Sequence, residues 1–490
     1  MSLCDQPQEL LDVIASYLPF RSDLLSLALA NKLMYGIIVP EHLSEFHHVC
    51  CDARRRKLWK SLSDHPGSAR ILSLELLSEA PGVQRSIPQS LNASSDEELQ
   101  GDCGPDCGEL LAAAIAAMPR LRRFSFHQST FTRTHNMKPV FDALRRHSTL
   151  REVEITFHDR HPGRQSFERF SAPLWEFSNL TRLSITVTRY PDVNTPRPFL
   201  EKMFAMLSTC PRLKDLRIAS EMLGPHADIS AFLSDKLWPD LRRLVVEGDL
   251  TFHAPEKSSS FLLRHPKLEI LSLPHSYQLP LMPSLRCLEL FAPGAAETVN
   301  ATHLPHLEYF ATADVDTPMQ TNVDEILDIL RALPALRGVT VAFCTPSGVE
   351  KLAQTLPRLQ RLTFAASPWN ENRLVDRPPQ NYLPSPECLA ILSSFPCLTH
   401  LDTSIFIKQD EHTETVLDDL CRTLAAAPKL EYVGVDFVRA QERFHRPKWF
   451  MVLRDADEGY AGRREMRDLR ELELHDWEEV SRMIGISWVV

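Results

Sequence analysis

The residues that could do chemistry in this chain are its cysteines and histidines, and their spacing fits no familiar site. Cys103 and Cys107 have three residues between them, and the adjacent Cys50 and Cys51 follow a pair of histidines. A structural zinc ion needs four ligands that converge on one point. Because neither group supplies such a set by its spacing, the sequence predicts no metal ion and no other cofactor.

Motifs of the common enzyme classes are also missing from the sequence. It contains no glycine-rich phosphate loop, no Gly-x-Ser-x-Gly turn and no His-Glu-x-x-His helix. The 19 histidines show no partner pattern. We therefore expect a protein that is not an enzyme and that acts by binding another molecule.

The composition narrows the class of ligand and the compartment. Of the 490 residues, 43% are hydrophobic and 24% are charged, as in ordinary globular proteins, and the net charge of −10 disfavours nucleic acid as a partner. No signal-peptide pattern and no long apolar run is present, so we expect no membrane association. Eleven cysteines without framework spacing indicate reduced thiols and predict a cytoplasmic or nuclear protein.

The elements that must carry a binding function repeat along the chain. A motif Pro-x-Leu-x-x-Φ-x-Φ, in which Φ is apolar, recurs throughout the sequence and accounts for many of its 36 prolines. Copies with the proline begin at Pro119, Pro211, Pro239, Pro266, Pro283, Pro305, Pro334, Pro357, Pro396 and Pro428. Weaker copies without it begin at Leu150, Leu180 and Leu469.

Each copy predicts a short strand that follows a helix. The leucine and the two apolar residues after it give the strand one buried face. Apolar residues at helical spacing precede the strand in residues 108–118, 199–210, 323–333, 348–356 and 416–427. The proline is expected to end the helix, because it cannot continue one. The repetition predicts an α/β solenoid with a curved parallel sheet on one side and helices on the other. Between Leu268 and Leu285 the chain is too short for a helix, so a loop is expected there.

The Leu-x-x-Leu-x-Leu core of each copy resembles a leucine-rich repeat, although the usual asparagine or cysteine after the strand is missing from almost every copy. It is therefore similar to the irregular, degenerate arrays of fungal F-box proteins. In such repeats the third and fifth residues, counted from the leucine, lie on the concave face of the sheet. We expect a partner protein to bind there, with a merely hydrated sheet face as the alternative. The expected contacts are Arg123, Glu152, Glu154, Arg182, Arg217, Arg243, Tyr309, Arg361 and Tyr432.

Two long insertions could add to the binding surface or could simply pack onto the repeats. One covers residues 367–386 and carries Trp369 and Tyr382, and the other covers residues 436–467 and carries Phe444 and Trp449. Aromatic residues on long loops often anchor a partner.

The first 45 residues follow a different pattern of short, leucine-rich helices. Leu10, Leu11, Ile14 and Leu18 form one apolar stripe, and Ser22 or Asp23 can cap a second helix that starts at Leu24. A third helix is predicted over residues 33–39, before Pro40. So much leucine in so few residues predicts that the segment needs a partner surface to cover it.

The Pro-x-Glu-Leu-Leu-x-x-Ile-x-x-Tyr-Leu start and the Asp-Leu-Leu-x-Leu-Ala second helix make residues 3–45 resemble an F-box, with Gln6 standing where a leucine often precedes the proline. The resemblance implies binding to a Skp-type adaptor and, through it, to a cullin. The alternative is a helical cap on the first repeat. The residues that the resemblance places at the adaptor interface are Pro7, Leu10, Leu11, Ile14, Leu18, Pro19, Leu24, Leu25 and Leu27.

The sequence therefore predicts three parts: an F-box over residues 1–45, a helical connector over 46–70 and a leucine-rich-repeat-like solenoid over 71–490, with the first sheet strand near Ile71 and Leu74. The family implies a substrate-recognition adaptor of an SCF-type ubiquitin ligase. Two alternatives stay open, a repeat scaffold without a ligase and an F-box protein that acts outside ubiquitination. The target protein is unknown.

Overall fold

The computed structural model describes 6–16, 21–41, 47–77, 87, 107–128, 137–158, 172–188, 196–220, 227–233, 236–248, 250–251, 255–273, 279–290, 299–312, 323–341, 346–364, 391–408, 429–430, 432–438, 448–455 and 459–465. The chain forms two compact units, Met1–His265 and Pro266–Val490. The last weak copy of the motif, at Leu469, the predicted helix over 416–427 and the insertion over 367–386 lie outside the described residues.

The first unit begins with three short helices, α1 (Gln8–Ser16), α2 (Arg21–Ala30) and α3 (Lys32–Glu41). The carbonyl of Pro7 accepts the backbone N–H groups of Leu10 and Leu11 at 3.0 and 3.1 Å and so starts α1. Asn31 caps α3, because its Oδ1 accepts the N–H of Leu33 at 2.7 Å.

Two of the predicted helix boundaries are wrong. Helix α2 begins at Arg21, which places Ser22 and Asp23 inside the first turn instead of at the cap. Helix α3 runs through Pro40 to Glu41, so the proline lies in the last turn and does not precede the end of the helix.

After these helices the first unit alternates strands and helices around a parallel sheet. The strands β1–β6 and β8 pair in chain order, and β7 pairs separately with β9 in parallel. The elements are β1 (His48–Cys51), α4 (Arg56–Asp64), β2 (Ser73–Leu76), α5 (Cys107–Ala116), β3 (Arg123–Gln128), α6 (Lys138–Arg145), β4 (Glu152–His158), β5 (Arg182–Thr188), α7 (Pro196–Leu207), β6 (Asp215–Ser220), β7 (Ala227–Asp228), α8 (Ser230–Leu233), β8 (Arg243–Gly248), β9 (Leu250–Thr251) and α9 (Pro255–Leu263).

In the second unit, the described residues contain fewer helices between the strands. Strands β10–β16 are parallel and pair in chain order, whereas β17 and β18 extend the sheet in the antiparallel sense. The elements are β10 (Ile270–Leu273), β11 (Cys287–Leu290), β12 (Tyr309–Thr312), α10 (Val323–Arg331), β13 (Gly338–Val341), α11 (Pro346–Thr355), β14 (Arg361–Phe364), β15 (His400–Lys408), β16 (Tyr432–Val438), β17 (Lys448–Asp455) and β18 (Gly459–Glu465).

The predicted α/β class, with an N-terminal helical segment and helix–strand units on an open parallel sheet, is confirmed. The prediction of a helical connector over residues 46–70 is wrong at its start. His48–Cys51 is a strand that pairs with β2 and precedes the expected first strand. The insertion over 436–467 is corrected as well, because it contains β17 and β18. Between β10 and β11 the described residues contain no helix, as the short spacing predicts.

The recurring proline is the second residue of a β-turn that leads into each strand. The motif leucine donates its N–H to the carbonyl of the residue before the proline, as from Leu121 to Met118 at 3.0 Å and from Leu241 to Trp238 at 2.9 Å. The fixed φ of proline suits this position of a turn. The preceding helix has already ended, α5 at Ala116, so the proline shapes the turn and is not the residue that stops the helix. The same bond closes the turns before Leu213, Leu285, Leu307, Leu336, Leu359 and Leu398.

The motif leucine and the two apolar residues after it, which are the fourth and sixth residues counted from the leucine, form the core between the sheet and the helices. Leu121, Phe124 and Phe126 are buried, and Phe126 meets Phe141 of α6 edge to face at 6.5 Å. Burying one such side chain contributes roughly 1.5–3 kcal/mol. The repetition of this pattern is what makes the sheet stable without one large central core.

The turn before Leu268 carries a buried histidine where other copies have an apolar residue. The Nε2 atom of His265 accepts the backbone N–H of Trp238 at 3.0 Å, while Nδ1 lies 2.7 Å from the carbonyl oxygen of Phe261. Burial lowers the pKa of His265, although the Phe261 carbonyl opposes that shift. The neutral form with its proton on Nδ1 is therefore the one that satisfies both contacts, to Trp238 and to Phe261.

Candidate interaction surfaces

The N-terminal helices bury part of their apolar surface among themselves. Leu11 of α1 and Leu24 of α2, both predicted as adaptor contacts, lie in this small core and are almost inaccessible to solvent. The other buried members are Ala15, Ala28, Met34, Ile37 and Ile38. The expectation that these leucines cannot be covered within the segment is therefore wrong for Leu11 and Leu24.

The same helices leave other large apolar side chains in solvent. Leu10 and Leu25, both adaptor candidates, are 44% and 48% exposed, and Leu29 reaches 71%. We call the helical apolar surface the six exposed residues Leu10, Val13, Leu25, Leu29, Leu33 and Tyr35. Leu25 and Leu29 are one helical turn apart on α2 and so share a face. Exposed apolar residues that lie together often mark an interaction site.

The remaining adaptor candidates take intermediate positions. Pro7 is exposed at the start of α1, Ile14 is half-buried, and Leu27 packs partly against the small core. Leu18 and Pro19 lie outside the described residues. Sequence reasoning missed Val13, Leu29, Leu33 and Tyr35, of which Leu29 could have been found, because it follows Leu25 by one helical turn.

The face of the first unit's sheet that lies opposite its helices carries a ladder of alternating charges. Arg123, Glu152, Arg182, Asp215 and Arg243 stand side by side on successive strands. We call the charged ladder the set Arg123, Glu152, Glu154, Arg182, Asp215, Arg217, Arg243 and Glu247.

These charges pair with one another across the strands. Asp215 lies between two arginines, 3.4 Å from Arg182 and 3.7 Å from Arg243. Arg217 is 3.1 Å from Glu247, whose side chain is only 6% exposed. A second pair joins Arg123 to Glu154 at 3.3 Å. The face is thus strongly polar, but its charges are largely compensated within the protein.

The electrostatics of the ladder follow from this pairing. Burial alone raises the pKa of Glu154, but His127 and the guanidinium groups of Arg123, Arg182 and Arg217 outweigh it and hold the pKa well below its usual value. Burial lowers the pKa of Arg217, and the carboxylates around it, first that of Glu247, more than restore it. Glu154 and Arg217 are therefore charged over the whole physiological pH range.

The structure places the predicted contacts of the first unit on one face of the sheet, close together: Arg123, Glu152, Glu154, Arg182, Arg217 and Arg243. Among the described side chains, sequence reasoning missed three further titratable residues on this face. Two of them follow the six-residue motif, and one precedes the first copy. They are Glu75, His127 and Glu247.

The corresponding face of the second unit is less charged and more tightly packed. The ring of Tyr309 lies over Gly338, where an added Cβ would approach Tyr309 Cδ2 to 2.6 Å, and its hydroxyl hydrogen-bonds Thr340 Oγ1. Tyr309 and Arg361, both predicted contacts, are only 5% and 4% exposed. Only the backbone of Tyr432, in β16, is described.

His400 is the titratable neighbour of Arg361 on this face. Burial and, to a smaller extent, the charge of Arg361 lower the pKa of His400 to about 4. The imidazole is therefore neutral at physiological pH, and the positive charge here belongs to Arg361.

The first strands hold one group of residues with the chemistry of metal ligands. His48, Cys50 and Glu75 each offer a ligand atom, and these atoms lie within 4.8 Å of one another. The other cysteine pair that the sequence offers is Cys103 and Cys107. The thiol of Cys107 donates to the carbonyl of Ala53 at 3.1 Å, and Cys103 lies outside the described residues.

In the part of the chain that the structure describes, none of the helices is both long and apolar enough to cross a bilayer. No protein-family model matches the chain, and no curated protein is significantly similar to it.

Proposed function

We propose that this protein is a substrate-recognition adaptor of an SCF-type ubiquitin ligase. The N-terminal helices dock a Skp-type adaptor, which carries a cullin, and the repeats bind the target protein. In this role the chain positions other proteins and performs no chemistry itself, and it works in the cytoplasm or nucleus.

The helical apolar surface is the observation that carries the proposal. The three helices already have a small core, so the six exposed side chains are not needed to hold them together. Covering a leucine is worth roughly 1.5–3 kcal/mol. A partner with an apolar groove would recover that energy, and apolar anchors of this kind dominate many interfaces.

The charged ladder supports the second half of the proposal. Its arginines and carboxylates alternate, so the face offers no continuous positive surface for a polyanion. A protein segment with its own mixed charges can exchange partners with Asp215 or Arg217 and replace the internal pairs. The face therefore favours a protein target over a nucleic acid.

The test replaces exposed leucines and leaves the small core intact. Leu25→Ala with Leu29→Ala should weaken binding to a purified Skp-type adaptor at least about a hundredfold, because each lost contact of about 1.4 kcal/mol is tenfold. Binding is measured by calorimetry and thermal unfolding is measured on the same samples, in which the double variant should match the wild type.

Two controls make the result specific. Leu237→Ala with Leu263→Ala removes leucines that are 58% and 59% exposed on the repeats and should leave adaptor binding unchanged. Leu11→Ala opens the small core and should lower both stability and binding. Normal adaptor binding by the Leu25/Leu29 variant contradicts the docking surface, and adaptor binding without cullin recruitment moves the function outside ubiquitination.

A further inference from the structure

Two neighbouring strands bring a histidine, a cysteine and a glutamate to one point of the first unit, and a third strand adds a histidine beside the glutamate. His48 and Cys50 are two residues apart on β1 and so share a face, and Cys50 pairs directly with Glu75 of β2. His127, from the end of β3, approaches the same carboxylate from the other side. Its Nε2 atom lies 3.8 Å from Glu75 Oε1, and His48 Nε2 lies 3.9 Å from Glu75 Oε2.

These separations leave room for an ion between the groups. Both are longer than the hydrogen bond that an imidazole makes to a carboxylate. A tetrahedral zinc ion bonded at about 2.0–2.3 Å holds adjacent ligand atoms about 3.3–3.6 Å apart. Side-chain rotations of about one ångström would therefore bring together His48, Cys50 and Glu75, whose ligand atoms already lie within 4.8 Å of one another. His127 lies outside that group and would have to turn further towards it to complete the coordination.

Burial and charge fit the same ion. Cys50 and Glu75 are 4% and 6% exposed. A thiolate, a carboxylate and two neutral imidazoles balance the two charges of Zn²⁺, so the loaded site adds no net charge to a buried place. A second carboxylate close by, that of Asp52 just after β1, accepts from Arg54 at 2.7 and 3.0 Å instead, which leaves Glu75 as the acidic ligand.

We propose that His48, Cys50, Glu75 and His127 bind one zinc ion that ties β1, β2 and β3 together. The ligands come from distant parts of the chain, because residues 77–122 separate β2 from β3. A metal that joins such segments stabilises the folded state, since the unfolded chain offers no preformed site. The zinc site is independent of adaptor docking and does not rest on the proposed function.

The first experiment measures metal in the full-length protein. The chain is purified under reducing conditions, stripped with a chelator and titrated with Zn²⁺ against a colorimetric chelator. We expect one zinc per chain and a higher melting temperature on loading. Co²⁺ in place of Zn²⁺ should give the visible bands of a tetrahedral site and a near-ultraviolet thiolate-to-cobalt band.

Variants assign the ligands. Cys50→Ser and Glu75→Gln should each weaken zinc binding at least about a hundredfold, because even residues one layer outside a metal site cost 10–100-fold. His127→Gln should weaken it at least about tenfold. Cys51→Ala is the matched control: Cys51 is the next residue, equally buried, and points to the opposite face of the strand, so this variant should keep its zinc.

The outcomes against the site are equally definite. A stripped wild-type protein that takes up no Zn²⁺ at micromolar concentration and gives no thiolate–cobalt band overturns it. Retention of zinc by folded Glu75→Gln, which keeps the shape of the side chain, also overturns it, even where Cys50→Ser fails to fold. Unchanged affinity in His127→Gln removes His127 from the ligand set and contradicts the four-residue proposal.

Discussion

The N-terminal helices and the repeat sheet differ in what their surfaces expose: the helices expose apolar side chains, and the sheet exposes charges that pair with one another. The helices bury one set of apolar side chains, such as Leu11, and leave another, such as Leu29, in solvent. The sheet face of the first unit instead satisfies its own charges, with Asp215 between two arginines. The first surface gains from any apolar partner of the right shape, whereas a ligand of the second must replace internal ion pairs. Selectivity is therefore expected from the sheet and affinity from the helices.

The largest expected effect tests whether the repeats and the N-terminal helices have separate cores. Trp238 is buried before Pro239, and its indole N–H donates to the carbonyl of Leu207 at 3.3 Å. Trp238→Ala should lower the unfolding free energy of the repeats by about 3–5 kcal/mol, measured by denaturant titration. Because the helices have their own core, adaptor binding should persist. Loss of adaptor binding at a temperature where the repeats are still folded would mean that the two regions depend on one another.

A middle-sized effect is expected from the charged ladder. Asp215→Asn keeps the shape of the side chain but leaves Arg182 and Arg243 without their shared carboxylate. Its unfolding free energy should fall by about 1–3 kcal/mol. Glu176→Gln is the control, since the Glu176 side chain that pairs with Arg145 is 57% exposed and such surface pairs contribute about 0–1 kcal/mol. Equal losses in both variants would show that the ladder is no more than a set of surface pairs.

The smallest effect concerns the helical segment and has the opposite sign. Gly36 lies inside α3, and a Cβ added there would meet nothing within 4 Å. Gly36→Ala should therefore raise the stability of the helices by about 0.5–1 kcal/mol. Thermal unfolding of the full chain, followed by adaptor calorimetry, tests it. A gain in stability together with weaker binding would place Gly36 at the docking surface, where the added methyl group obstructs the partner.

The repeat could be predicted from sequence because its burial pattern is local. In the copy that starts at Pro119, Leu121, Phe124 and Phe126 are enough to locate the strand, and the same spacing holds in distant copies. The antiparallel end, β17 and β18, carries no such motif, and so the sequence predicts an insertion there instead of strands. Periodicity predicts an element where the element itself is periodic.

The sites were predicted less well, because they depend on which neighbour a residue meets. Leu24 and Leu25 are adjacent leucines in a helix that is apolar on several sides, yet one is in the core and the other is half exposed. The cluster around Glu75 needed residues from three strands, and spacing along the chain showed only Cys50 beside a histidine. Contacts between segments distant in sequence were the missing information in both cases.

The turn before each strand also bears on how such a chain can change over evolutionary time. The turn is closed by its own hydrogen bond, from Leu121 to Met118 in one copy, and keeps its length from copy to copy. Differences in spacing therefore fall between the end of one strand and the next turn, as between Leu76 and Cys107 and between Phe364 and Ile391. One rim of the sheet can thus gain or lose residues without disturbing the pairing register that the other rim fixes. New recognition segments can arise there by insertion while the fold itself is conserved.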